Sequence, residues 1–506
     1  MLGLVETLLI LGLISLLFAL YSHYSYWQRH GVPQQTPLPF LGNMKGVGTE
    51  KHFCEIVQEI YGKFKNKSPI GGLYVFIRKS AVILDLEVIK HVLIKDFSNF
   101  HDRGVFNNVR DDPLTGHLVT LEGEQWRAMR NKLSPVFTSA RMKYMFPTVA
   151  RVAENLVEVV HEMLRSGNSA EILEMKELCA RFTTDVIGTC AFGIDCCSLK
   201  NPKAEFRQRG RAIFSERRYH PLIQQFMFSN PKLARRLRMK FFPDHITKFF
   251  LNVIKETVEY RQENGVKRND FLDLLIELKA KNEELARGSL GIDLSKGLTL
   301  EQMAAQTFVF FVAGFETSST TMTFCLYELA RHMQVQERLR QEILESLKKT
   351  NGEITYEGLH ELQYLDQVVA ETLRLYPVIP TLLRTTTSNY RIPNSDCIVE
   401  EGTQIAIPVY SIHRDPAYYD QPNEFNPDNF EPKRCEERHS CAYLPFGDGP
   451  RNCIGLRFGK MQTKLGLVAL LRKFRFEICP QTELVMDKKN FLLTTESGVD
   501  LKVTIL

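Results

Sequence analysis

Apolar residues follow three regimes along this chain, and each predicts a different kind of element. Leu2 to Tyr21 is apolar almost throughout, broken only by Glu6, Thr7 and Ser15. That is about the length a helix needs to cross a bilayer. From about Gln125 to Lys349 the apolar positions recur at helical spacing. Two stretches read as strand instead. Leu73–Ile77 and Ala81–Leu84 predict a hairpin with Arg78-Lys79-Ser80 between them, and about Leu382 to Tyr410 predicts a strand-rich patch. Helices in runs, with strands set to one side, predict a mainly α protein with small peripheral β-sheets around one large core.

The longest helix is expected from Leu300 to His332. Thr299 and Gln302 make a capping-box start, and Met303 to Phe315 is apolar nearly all round, which implies burial. The pattern then changes abruptly at Ala313-Gly314-Phe315-Glu316-Thr317 to a hydroxyl-rich run ending at Thr321. Glycine inside a helix costs about 1 kcal/mol relative to alanine. A groove for a bulky ligand would justify that cost, and so would a plain packing notch. Ser or Thr bonding back to a carbonyl would bend the helix at the same place. A shorter helix, Leu362 to Leu375, ends before Pro377 and sets Glu371 and Arg374 on one face. On a surface, such a pair contributes only about 0.5 kcal/mol.

Residues 1–27 are expected to form a transmembrane anchor, 28–50 a proline-rich hinge and 51–506 the globular domain. No basic stretch precedes the apolar run and no small-x-small cleavage site follows it, which disfavours a cleaved leader. A buried helix of the globular domain is the other alternative. Tyr21, Tyr24, Tyr26 and Trp27 suit an interfacial belt, and Arg29 and Lys45 place the large domain on the cytosolic side. Pro33, Pro37, Pro39 and Gly42 make a stiff exit.

Composition narrows the chemistry. Hydrophobic content of 44%, charged content of 24% and a net charge of +5 fit a large core and no dedicated nucleic-acid binding. The eleven cysteines are an odd number and include no C-x-x-C pair, which argues against a zinc site or a disulfide framework. Gly447-Asp448-Gly449 begins like a dinucleotide fingerprint, but Asn452 stands at its third glycine position. The chain is therefore expected to bind no nicotinamide or flavin of its own.

One cysteine stands apart. Phe446-Gly447-Asp448-Gly449-Pro450-Arg451-Asn452-Cys453-Ile454-Gly455 runs into a helical pattern from Leu456 to Phe474. A thiol there, at or just before a helix N-terminus, is expected to have a lowered pKa. Gly449 and Gly455 permit conformations and close contacts that a side chain would block, and Arg451 suits a carboxylate or phosphate partner. A buried, inert cysteine in a glycine turn is the plain alternative.

The string matches Phe-x-x-Gly-x-Arg-x-Cys-x-Gly, and the chain thereby resembles the cytochromes P450, which are haem-thiolate monooxygenases. The resemblance implies haem b (iron protoporphyrin IX) as cofactor, with Cys453 as the axial iron ligand. Phe446 would lie under the haem, and Arg451 would pair with a propionate. Ala313 to Thr317 matches the family's oxygen-activation motif, with Gly314 against the haem and Glu316 and Thr317 as an acid–alcohol pair. Trp126, Arg130 and Arg384 match propionate-holding positions, and Glu371-Arg374 matches a buried structural lock. Asn429 stands where the family usually adds an arginine to that lock. Gly123 to Arg127, Phe137-Thr138-Ser139 and His413 to Pro416 resemble insect microsomal family 6.

By the same resemblance the protein resides in the endoplasmic reticulum membrane, facing the cytosol. NADPH-cytochrome P450 reductase would supply its electrons, with cytochrome b5 as a second donor. O2 and a lipophilic small molecule would be its substrates. Arg127, Lys132, Arg141, Lys143, Lys433, Arg434, Arg457 and Lys460 suit a basic docking face, or a merely solvated one. Substrate selection is expected around Phe97 to His117, Tyr219 to Phe242 and Val378 to Leu383. The second stretch, with Phe226-Met227-Phe228 and Phe241-Phe242, suits a membrane-dipping entrance or a partner-facing helix pair. A haem-thiolate isomerase or dehydratase, and a non-enzymatic lipophile-binding protein, are the rival readings. The retained Glu316-Thr317 pair disfavours the first.

Overall fold

The computed structural model describes residues 2–165, 170–268, 270–288 and 298–506. The helices that position the site are α1 (Leu2–Tyr24), α2 (Gly123–Leu133), α3 (Met175–Ile187), α4 (Pro221–Ser229), α5 (Pro231–Arg236), α6 (Leu300–Arg331), α7 (Gln363–Leu375) and α8 (Leu456–Leu471). The main sheet holds β1 (Ile70–Val75), β2 (Arg78–Ile83), β3 (Leu382–Thr385) and β4 (Gln404–Ile407) in the order β1-β2-β4-β3. Strand β2 runs parallel to β4, pairing Ala81 with Ile405, and β4 pairs antiparallel with β3, setting Arg384 opposite Ile405. A three-stranded and a two-stranded sheet complete the β structure of the described residues.

Two large hydrophobic clusters divide the interior. The larger joins the helices around α6 and α8, and the smaller joins the main sheet to the N-terminal segment. Helix α6 begins as its capping box requires, with Gln302 N donating to Thr299 Oγ1 at 3.2 Å and Thr299 N donating to Gln302 Oε1 at 3.1 Å. Its hydroxyls are satisfied along the helix: Thr317 donates to Ala313 O (2.6 Å) and Thr321 to Thr317 O (2.8 Å).

Two expectations about local structure need correction. The hairpin turns at Phe76-Ile77 rather than at 78–80, because Val75 pairs with Arg78 and Leu73 with Ser80. Phe76 takes φ +57° to make that turn, a conformation phenylalanine gives no sequence sign of adopting. The proposed aromatic belt is largely internal: Tyr24, Tyr26 and Trp27 are buried in the smaller core, and only Tyr21 stays exposed. A β-carbon at Gly72 would lie 2.5 Å from Trp27 Cγ, so the missing side chain is what seats the indole. The segment 28–50 is docked as well. Gly72 N donates to Pro33 O (2.8 Å), Asn43 N to Tyr74 O (2.8 Å) and Tyr74 N to Asn43 Oδ1 (2.8 Å). Helix α1 itself is apolar, exposed over residues 3–19 and long enough to cross a membrane.

Candidate active site

The cysteine loop closes on itself. Cys453 N donates to Phe446 O at 2.9 Å, and Asn452 N to Gly449 O at 3.0 Å. Gly449 has φ +71°, and a β-carbon there would strike the Leu93 carbonyl, so glycine is required on both counts. Gly455 caps α8 with an ordinary φ of −89°, and a β-carbon there would meet nothing closer than Phe137 at 3.9 Å. Its value is clearance rather than turn geometry.

The Cys453 side chain opens into an internal cavity of about 270 Å³. Its accessible area faces that cavity, not the outer surface. Burial consequently pushes the thiol pKa up, with the Gly455 amide, Arg130 and Arg103 pulling the other way. This overturns the expected lowering by a helix terminus: Cys453 stops short of the Gly455 cap, and desolvation outweighs the dipole. Ligation to a metal ion keeps such a thiol deprotonated regardless.

Four guanidiniums line the same cavity: Arg103, Arg130, Arg384 and Arg451. Arg130 grips the cysteine loop, donating to Asn452 O (2.9 Å) and Asn452 Oδ1 (2.8 Å). Arg451 donates to Leu121 O (2.6 Å) and lies 4.3 Å from the centre of the Trp126 ring. Arg103 donates to Arg451 O (3.1 Å) and Val119 O (3.2 Å). Arg384 is buried on β3, and both it and Arg451 keep a buried Nε without a partner. Burial, joined by the neighbouring guanidiniums, pushes Arg451 down to about 9 and Arg384 well below its usual range. Burial brings Arg103 to about 10. The carboxylate nearest Arg451 is Asp102, at 3.7 Å. Surplus buried cationic charge with free donors calls for an anionic ligand.

The opposite wall comes from α6, with Val309, Phe310, Ala313 and Thr317, and from Val378, Ile379 and Leu382. Gly314 also borders the cavity, but a β-carbon there would strike Ile187 of α3. The glycine is needed for helix packing, and Ala313 and Thr317 present the side chains. Glu316 does not line the cavity. It is buried on α6, and desolvation raises its carboxyl pKa, partly offset by Lys176 and Arg207.

The lock behind the loop is complete in an unexpected form. Glu371 and Arg374 are fully buried and paired by two bonds of 2.7 Å. Arg374 also donates to the carbonyls of His413 (2.8 Å), Pro422 (2.6 Å) and Glu424 (2.9 Å). All five of its N–H groups are used, which lysine cannot match. Asn429 donates to Glu371 Oε1 at 3.1 Å. Arg438 flanks this cluster without touching Glu371: it donates to Asn429 O (2.7 Å) and lies 4.2 Å from the Tyr419 ring centre.

Sequence reasoning missed Arg103, which carries no spacing marker. The 219–242 stretch, expected to take part in substrate selection, supplies none of the residues that line this cavity. Met227 and Phe242 there are buried, and the exposed apolar residues of α4, α5 and the loop that follows are Leu222, Ile223, Leu233 and Leu237.

A cavity that exposes the Cys453 thiol on a glycine-rich loop, with an apolar wall and a rim of buried and half-buried guanidiniums, fits an iron porphyrin with two carboxylates. Comparison with known proteins agrees. Residues 32–503 match the family model described as Cytochrome P450. "Probable cytochrome P450 6a14" of Drosophila melanogaster is 55% identical over 484 residues, covering 95% of each chain. "Cytochrome P450 6a2" of the same fly is 44% identical over 500 residues, covering 98% of each. "Cytochrome P450 6A1" of Musca domestica is 47% identical over 483 residues, covering 94% of this chain and 92% of its own. The chain belongs to the cytochrome P450 family, among relatives of insect family 6, and is a haem-thiolate monooxygenase with haem b as cofactor.

Proposed function

We propose that this cytochrome P450 works in the endoplasmic reticulum membrane with its catalytic domain on the cytosolic side. It takes electrons from NADPH through NADPH-cytochrome P450 reductase, with cytochrome b5 as a second donor. Its substrates are lipophilic: xenobiotics such as insecticides and plant toxins, or endogenous hormones and lipids. The observation that carries the chemistry is that Cys453 and Thr317 border one largely apolar cavity from different elements.

Bound haem supplies thiolate-assisted activation of O2, so that one oxygen atom enters the substrate and the other leaves as water. The protein's residues do the rest. Cys453 is the iron ligand, and Phe446, Gly449 and Gly455 shape the loop that presents it. Arg103, Arg130, Arg384 and Arg451 hold the propionates, and Trp126 stacks on Arg451. The short side chain of Ala313 would let the cofactor approach α6, and Gly314 lets that helix pack on α3.

Thr317 spends its hydroxyl proton on Ala313 O, which leaves its oxygen free to accept from an ordered water. Glu316, raised by burial, can carry a proton from the Lys176 and Arg207 side toward that water. The apolar wall excludes bulk water and so limits stray proton transfer.

Helix α1 supports membrane residence by its length and exposure. Leu222, Ile223, Leu233 and Leu237, among Lys232, Arg235 and Arg236, give the membrane a second point of contact. Arg127, Lys143, Lys433, Arg434 and Arg457 are exposed and suit an acidic reductase surface. Part of that charge is already committed, as Arg127 pairs with Glu124 and Lys143 with Glu357.

Product analysis in microsomes reconstituted with reductase, NADPH and labelled O2 tests this reading. Label from O2 should appear in the product of at least one lipophilic substrate. NADPH consumption with no oxygenated product across a broad lipophilic panel would contradict it.

A further inference from the structure

We propose that Gln462 is a positioning residue, holding the Gly314 turn of α6 from the cysteine-side helix and thereby setting where Thr317 stands. The inference rests on the haem-monooxygenase reading. Helix α8 starts immediately after the Cys453 loop, so any contact it makes with α6 relates the two walls of the cavity directly. Gln462 is fully buried on α8 and borders the cavity. Its Nε2 donates to Gly314 O at 2.8 Å and to Ser318 Oγ at 2.5 Å. Those two acceptors bracket Thr317 on a single turn.

The orientation of the amide is dictated by its surroundings. Turning it over would set Oε1 against the Gly314 carbonyl, two acceptors with no proton between them. As it stands, Oε1 is buried without a partner. A side chain retained only to fill space would be better served by leucine or methionine, with no polar atom left over.

The helices are close on both sides of this residue. A β-carbon at Gly459 would lie 3.8 Å from Ser318 Oγ, and one at Gly466 would lie 2.8 Å from Phe182 of α3 and collide with Met322. Among the described residues, Gln462 is the α8 side chain that hydrogen-bonds α6. The two carbonyls of the turn are thus each given a side-chain donor: Ala313 O takes the Thr317 hydroxyl and Gly314 O takes Gln462. The turn that carries Thr317 is held by its own hydroxyl and by α8 together.

When that hold is lost, proton delivery near Thr317 loses its geometry. The electron count stays balanced in either outcome. Each O2 receives two electrons from NADPH through the reductase and two protons. They leave as water with one oxygen inserted in the substrate, or together as one hydrogen peroxide.

The test is Gln462→Leu in the full-length membrane protein with reductase. The reduced, carbon monoxide-bound spectrum should keep its thiolate-type Soret band. Product per NADPH should fall about threefold or more, with peroxide rising to match. Exchange of the amides in the 314–318 turn should quicken about fivefold to tenfold, since the turn loses its buried hydrogen bonds to α8. Combining it with Thr317→Ala should give little beyond Thr317→Ala alone, since both act on one hydroxyl.

Unchanged product per NADPH, with only a lower melting temperature, would overturn the proposal and leave Gln462 a packing residue. A wild-type protein without the thiolate-type band would overturn the underlying haem reading instead, and the proposal with it. Should leucine prevent folding, Gln462→Met keeps length and volume and is judged by the same measurements.

Discussion

The cysteine side of the molecule and its 219–243 region are built on opposite plans. Behind the cysteine loop, Arg374 uses every donor it has, Glu371 accepts from two residues besides Arg374, and His413 joins two chain segments. His413 Nδ1 donates to Arg374 O at 3.1 Å while its Nε2 accepts from Leu444 N at 2.9 Å. Across the molecule, α4 and α5 rest on a satellite cluster of Phe106, Met227 and Ala234, separate from both large cores. One buried carboxylate ties that region down. Asp112 accepts from the amides of Phe241 (2.8 Å) and Phe242 (3.0 Å), helped by a bond from Asn108 Nδ2 to Met239 O at 2.9 Å. Phe242 then packs on Phe308 of α6, ring centres 5.0 Å apart. A thiolate ligand must be held in one geometry, whereas a cavity that admits bulky molecules needs walls that can yield. Regions with few buried contacts open first.

The largest blow to this contrast falls on the cysteine side. Glu371→Ala leaves Arg374 charged and buried without its partner and should cost about 3–5 kcal/mol, read as loss of haem-loaded protein on expression and in thermal melts. A variant that loads haem and melts normally would show that the lock is dispensable.

Acid should also act there. Burial, then the nearby Arg374 charge, holds the His413 imidazole neutral down to about 3, against an ordinary value of 6.5. The unfolded chain therefore binds a proton near pH 6.5 that the folded chain refuses, so stability is lost as pH falls through 6.5 and onward toward 3. The loss at pH 5 is roughly 2 kcal/mol for this one group. His413→Asn should flatten that part of the slope in urea titrations between pH 7 and 5, and an unaltered slope would contradict the assignment. His117, buried and held to about 3, contributes in the same sense and should persist in the variant.

On the other side, Asp112→Ala should free the Phe241 and Phe242 amides at a local cost of about 1.5 kcal/mol. Hydrogen exchange at 241–242 should rise about tenfold, while exchange around 446–455 stays as it was. Equal acceleration in both places would mean the two regions open as one. The smallest effect belongs to Arg438→Ala, which removes a stacked guanidinium whose contribution is about 1 kcal/mol. Haem loading should survive it, with a modest drop in melting temperature.

Most of the cavity was legible in the sequence because its residues lie in local strings. Cys453, Arg451 and Phe446 share one loop, Trp126 and Arg130 one helix face, and Thr317 follows a visible change from apolar to hydroxyl-rich. What escaped depends on contacts between distant segments. Trp27 looks interfacial until Gly72 supplies its seat, and nothing in the 28–50 sequence shows that it bonds to β1. Arg103 has no neighbour in sequence to mark it, and nothing in the sequence announces that Arg438 braces the Asn429 carbonyl beside the lock. The thiol pKa was misjudged for a related reason. A helix terminus is visible in a sequence, but the enclosure that outweighs it is not.

The central claim is that Cys453 is the thiolate that holds the haem iron. The difference spectrum of the reduced, carbon monoxide-bound protein tests it most directly, comparing wild type with Cys453→Ala. The thiolate-type Soret band should be present in the wild type and absent from the variant. Its survival without Cys453, or an imidazole-type band in the wild type, would contradict the account.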